Sequence, residues 1–244
     1  ENLKCFLKFS VRVFHLCEVS MLRSAALTAA ALMASASFAF SYTNDFESPV
    51  GSEWSSATTS IFNGSTVLGR FDNGTVTLTL NGLNVGDLVT LDFDFLALDS
   101  WDGNDGSYGP DRFKVSMDGT DVLDATFSNV SFYNQSYPDA FGVGNYAYQT
   151  GADDKDASAG GTLPNGYWGN SLYKFGGGLN PSFSAIAGSS TMTISFTGMG
   201  LQGGSDESWA IDNVKVNAVP EPGAMAVLAA GVGAFLAARR RKQS

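Results

Sequence analysis

Residues 75–97 read TVTLTLNGLNVGDLVTLDFDFLA. Val76, Leu78 and Leu80 share one face, with threonines on the other. After a turn over 81–87 rich in Gly, Asn and Asp, Val89, Leu91, Phe93, Phe95 and Ala97 line up together while Asp92 and Asp94 point to water. Successive side chains leave a strand on opposite sides, so a period of two marks strands with one buried face. The pattern recurs. Residues 42–47 and 66–71 read as short strands. Residues 112–117 turn Phe113, Val115 and Met117 inward, Asp118-Gly119 makes a turn, and 121–127 return as the hairpin partner. Residues 191–196 bury Met192, Ile194 and Phe196, and 209–216 form a last strand. No amphipathic helix interrupts them, so the chain is expected to be all-β: a two-sheet antiparallel sandwich of jelly-roll type, spanning residues 40–218.

Between residues 129 and 181 the alternation fades into Gly-, Asn- and Tyr-rich sequence. So long an insertion without elements of its own is expected to be functional or mobile. Tyr146, Tyr148, Tyr167, Trp168 and Tyr173 either offer stacking platforms to sugar rings or cover one sheet.

Composition excludes whole classes of chemistry. Cys5, Cys17 and His15 are the chain's entire complement of those residues, and all precede Met21. The sandwich therefore has no disulfide, no Cys nucleophile, no His base and no His/Cys metal site. Residues 41–218 hold 21 acidic and 6 basic side chains, a formal charge of −15. Such a domain repels nucleic acid and anionic lipid and suits divalent cations or uncharged ligands.

Two acidic stretches carry the candidate chemistry. The first, 99–111, reads DSWDGNDGSYGPD. Asp99, Asp102, Asp105 and Asp111 repel one another on one glycine-rich loop unless a cation sits among them, and hard oxygen donors on a flexible loop predict Ca²⁺. A solvated loop with Asx-turns is the plainer alternative. Trp101, Tyr108 and Trp168 are expected to line a ligand groove beside it. The second stretch, 203–216, reads GGSDESWAIDNVKV and contains Asp206, Glu207 and Asp212.

Both ends of the chain read as addresses. Residues 1–20 are expected to be upstream translation. Residues 21–39 have the plan of a signal peptide, with Arg23, an apolar run over 25–33 and small residues at 34–39. At the other end Pro220, Glu221 and Pro222 predict a stiff extended segment. The 15 uncharged residues 224–238 predict a membrane helix about 22 Å long. Arg239, Arg240, Arg241 and Lys242 follow, and a basic cluster holds its end in the cytoplasm.

The tail over 219–244 resembles the PEP-CTERM sorting signal of Gram-negative bacteria. The resemblance implies recognition and cleavage by an integral-membrane exosortase, Sec export, transient membrane anchoring, and a place in the envelope or the exopolysaccharide and biofilm matrix. Asp45-Phe46-Glu47 and the last strand also resemble the opening and closing strands of lectin-like and carbohydrate-binding-module jelly rolls. That resemblance implies a structural calcium held by Glu47 and Asp212. The expected function is an exported, calcium-binding protein associated with extracellular glycan and not with nucleic acid. A jelly-roll glycoside hydrolase or polysaccharide lyase, with no catalytic pair assigned, and a purely structural surface protein are the alternatives.

Overall fold

The computed structural model describes residues 40–155 and 169–219. The expectations for both chain ends, for the helix over 224–238, and for Tyr167 and Trp168 lie outside these residues. Among the described residues every regular element is a strand. In chain order they are β1 (Phe40–Asn44), β2 (Thr59–Phe62), β3 (Ser65–Phe71), β4 (Gly74–Asn81), β5 (Leu88–Asp99) and β6 (Arg112–Met117). There follow β7 (Thr120–Thr126), β8 (Asp154–Lys155), β9 (Ser171–Phe175), β10 (Phe183–Ile186), β11 (Thr191–Met199) and β12 (Glu207–Val219). They form an eight-stranded sheet and a four-stranded sheet of order β4-β11-β6-β7. All strand pairs are antiparallel, so the expected all-β two-sheet sandwich is the observed one.

The large sheet is built on its longest strands, β12 with 13 residues and β5 with 12, which pair with each other. On its free edge β12 takes β3 along 209–211 and β1 along 214–218. β5 likewise takes β9 along 93–97 and β10 along 88–91. Between the sheets Val89, Leu91, Phe93, Phe95 and Ala97 meet Val76, Leu78, Phe113, Val115, Ile194 and Phe196, all buried. The Phe95 and Phe113 rings stack at 3.9 Å. Each Val, Leu, Ile or Phe among them contributes roughly 1.5–3 kcal/mol of burial.

Two expectations need correction. The outer face of β5 is not wholly wet: Leu96 and Leu98 join Phe62, Val67 and Ala210 in a second buried cluster, because β2 and β3 bring apolar side chains to that face. Asp94 there accepts a hydrogen bond from Asn213 Nδ2 at 3.0 Å. Nor are the described residues of 129–181 without structure. Gln135 and Tyr146 exchange backbone hydrogen bonds of 2.9 and 2.8 Å, Gln149 donates to Ser128 at 3.0 Å, and β9 sends Tyr173 and Phe175 into the core.

The chain crosses from sheet to sheet at both ends of the sandwich. The β3–β4, β5–β6 and β11–β12 crossings share one end, where Phe71 lies opposite Trp209 and Asp99 opposite Glu207. Trp209 pins two of them by donating Nε1–H to the Asp72 carbonyl at 2.7 Å. Gly198 of β11 leaves room for that indole, and a Cβ on Gly198 would run into Trp209 and the Asp72 carbonyl. Gly198→Ala is expected to cost about 2 kcal/mol and lower the melting temperature by roughly 4–8 °C. A melt within a degree of wild type would show that the corner gives way easily.

A candidate metal centre where two crossings meet

β5 ends at Asp99, whose φ of 69° turns the chain out of the large sheet. The turn is fastened at once to the approach of β12. Ser100 N donates to the Asp206 carbonyl at 3.0 Å, Ser100 Oγ donates to Asp206 Oδ1 at 2.8 Å, and Trp101 Nε1 donates to the Ser208 carbonyl at 2.8 Å. The loop then folds back on itself, since Asp111 N reaches the Gly103 carbonyl at 3.0 Å and Asp105 N the Asp102 carbonyl at 3.2 Å. This closure sets Asp102 beside Asp111, and the Asp102 N–H donates to Asp111 Oδ2. Glu207, the first residue of β12, arrives from the other crossing, with Oε2 accepting from the Gln202 N–H.

Asp102, Asp111 and Glu207 each present one carboxylate oxygen within 4.8 Å of the other two. Asp111 and Glu207 are 0% exposed and Asp102 8%. Asp111 Oδ1 and Glu207 Oε1 are buried without a hydrogen-bond partner. The ion pairs among the described residues, Arg70–Asp99, Arg112–Asp124 and Lys114–Asp121, do not reach the trio. Burial pushes the Asp102 carboxyl up to about 6, with the Asp105 and Asp206 charges adding to it against a lowering contact with Glu207. Burial first, and then the Glu207 charge, drives Asp111 well above the usual carboxylate range. Glu207 rises chiefly through burial, with Asp102 and Asp206 adding, against the Gln202 hydrogen bond. Buried oxygens with neither donor nor counter-charge are costly. Carboxylate oxygens are the hard donors that Ca²⁺ and Mg²⁺ take, and three carboxylates carry about six of them.

The other predicted site residues scatter. Asp99 pairs with Arg70 and does not join the trio. Asp105 Oδ2 accepts the Ser107 and Tyr108 N–H groups, both at 2.8 Å, in an Asx-turn. Glu47 and Asp212 approach each other through Ser65 Oγ, at 2.8 and 3.4 Å. Glu47 also accepts from Thr66 N at 2.8 Å, and these bonds hold its carboxyl below the usual range. Burial pushes Asp212 up to about 6. Trp101 is 0% exposed and packs on Phe95 and Phe127, so it is a core residue and lines no groove. Tyr173 is equally buried, whereas Tyr108 stands 58% exposed, and Tyr146 and Tyr148 lie at the surface. Glu207 is the member that sequence reasoning left out. Its only signal was an acidic residue opening the last strand, which means little until that strand is known to start opposite Asp99.

The family model of the PEP-CTERM protein-sorting motif matches residues 218–242. The chain carries a PEP-CTERM sorting motif. That motif marks an exosortase-sorted, exported protein, anchored in the membrane before processing. It begins inside β12, whose final residues are Ala218 and Val219. Among the described residues no helix is long and apolar enough to cross a membrane. No curated protein matches the chain. Among solved structures, dimeric latent PorU from Porphyromonas gingivalis aligns at 11% identity and a TM-score of 0.37 over 74% of this chain. The chain spans 12% of PorU's length. Basic winged bean lectin with Tn-antigen aligns at 11% identity and a TM-score of 0.30, over 75% of this chain and 99% of the lectin. Similarity this remote says nothing about ligands.

Proposed function

We propose that this PEP-CTERM protein is a surface or matrix component whose acidic sandwich binds calcium and associates with extracellular glycan. The sorting motif supports the destination. The surroundings of the 99–111 loop support the ligand. Tyr108 and Phe132 are 58% and 66% exposed, and the Tyr133 ring meets Phe132 edge-on at 4.6 Å. Desolvation, Asp105, Asp102 and Tyr108 together raise the Tyr133 hydroxyl, so these aromatic and acidic groups share one neighbourhood. A sugar ring lays its C–H face on an aromatic ring and gives its hydroxyls to carboxylates. At a formal charge of −15 over residues 41–218 the domain repels polyanions, so the glycan is a neutral one.

Hydrolysis needs two carboxylates within reach of the glycosidic bond. Asp111 and Glu207 are sealed inside the fold, which favours binding over turnover at this end. The test is retention of the full chain, in detergent, on immobilised neutral polysaccharide. Tyr108→Ala combined with Tyr133→Ala is expected to weaken retention roughly tenfold with little change in the melt. Unchanged retention would remove this face from the reading, and release of shortened sugars would replace it with the hydrolase.

A further inference from the structure

We infer that Asp102, Asp111 and Glu207 together hold one Ca²⁺ ion that staples the β5–β6 crossing to the first residue of β12. The inference rests on the calcium-binding reading above and changes its ligands. The ion moves from a single loop to a point where two crossings meet, and Glu207, distant in sequence, becomes a ligand.

Three observations carry it. The oxygens converge within 4.8 Å from two separate segments, a spacing at which ionised carboxylates repel one another and a cation between them removes the repulsion. Asp111 and Glu207 are each 0% exposed, yet each keeps one oxygen without a partner. Neighbouring carboxylates are used differently: Asp99 is neutralised by Arg70, Asp105 caps its own turn, and Asp206 accepts from Ser100. Within the trio, Asp111 Oδ1 and Glu207 Oε1 are the oxygens that the protein's own donors leave unsatisfied.

Donor chemistry and burial select the ion. With no His or Cys beyond residue 17, imidazole and thiolate ligands are absent from this domain, which removes the usual basis for zinc selectivity. Mg²⁺ sheds its waters reluctantly and keeps several of them, whereas Ca²⁺ accepts carboxylates in mono- or bidentate fashion with flexible geometry. Two ligands at 0% exposure and one at 8% leave little access for retained water, and so favour Ca²⁺.

Terbium, which substitutes for calcium and emits when tryptophan beside it is excited, reads the site directly. Trp101 adjoins Asp102, and Trp209 lies two residues past Glu207. Full chain in detergent, stripped with chelator, is expected to give tryptophan-sensitised Tb³⁺ emission that Ca²⁺ quenches by displacement, and to melt several degrees higher in Ca²⁺ than in chelator. Glu207→Gln is expected to weaken Tb³⁺ binding at least tenfold and to abolish the calcium shift in the melt. If Glu207→Gln gives no cooperative melt, Asp102→Asn, at the least buried member, supplies the same reading. Wild type that binds ions while both variants bind equally well would overturn the assignment and leave the calcium reading standing. Loss of binding in Asp212→Asn, with Glu207→Gln unaffected, would move the ion to the Glu47 and Asp212 pair. Wild type that binds neither ion would end both.

Discussion

Trp101→Ala is expected to lower the melting temperature by roughly 10 °C, whether or not any ligand is present. The indole is 0% exposed, with ring contacts to Phe95 at 5.7 Å and Phe127 at 6.4 Å. Its N–H is the donor to the Ser208 carbonyl at 2.8 Å. Truncating a buried tryptophan costs about 3–5 kcal/mol, and each kcal/mol lowers the melting point of a domain this size by about 2–4 °C. Removing the indole also leaves the Ser208 carbonyl without its partner beside the trio. Trp101→Phe refills most of the space without the donor and is expected to fall between the two. A ligand-stacking tryptophan would behave in the opposite way, with sugar retention lost and the melt unchanged. That outcome would restore the groove and refute the packing reading.

Arg70→Ala is expected to cost about 3–5 kcal/mol, the usual consequence of leaving one member of a buried ion pair alone. The Arg70 and Asp99 side chains are 12% and 6% exposed, and Arg70 Nε also donates to Ser208 Oγ. Without the guanidinium, the Asp99 carboxylate sits desolvated at the corner where β5 leaves its sheet. The double change Arg70→Met with Asp99→Asn removes both charges and keeps most of the volume. It is expected to recover at least half of the loss in a urea melt. If the double variant were no better than Arg70→Ala alone, the stability would reside in the packing of the arginine stem and not in charge pairing.

The strands that could be read from the sequence are those whose alternation is long and uninterrupted. β4, β6, β11 and the inner face of β5 need only their own residues to reveal which side is buried. β9 was missed although SLYKF alternates, because five residues set among glycines carry too short a pattern to stand out. Its burial comes from pairing with residues 93–97 of β5, which no local reading supplies. The site divides along the same line. Asp102 and Asp111 were visible because one short loop holds both. Asp99 looked equivalent in the sequence, and the difference comes from Arg70, far along the chain and delivered by β3. Glu207 required the register that sets it opposite Asp99 in the β5–β12 ladder. Trp101 was misread because an aromatic residue in a polar loop resembles a ligand platform until the loop is known to fold over the end of a core.

The position of β12 has a consequence for how the protein is made. β1, β3 and β5 all pair with this strand, yet it is the last of the described strands to be synthesised. Until residue 219 is available, those partners wait with open backbone edges of the kind that recruit foreign strands, and slow long-range closure is the kinetic price. The large sheet therefore cannot be completed before residue 219 has been made, and a product that stops early lacks both its keystone strand and its sorting motif.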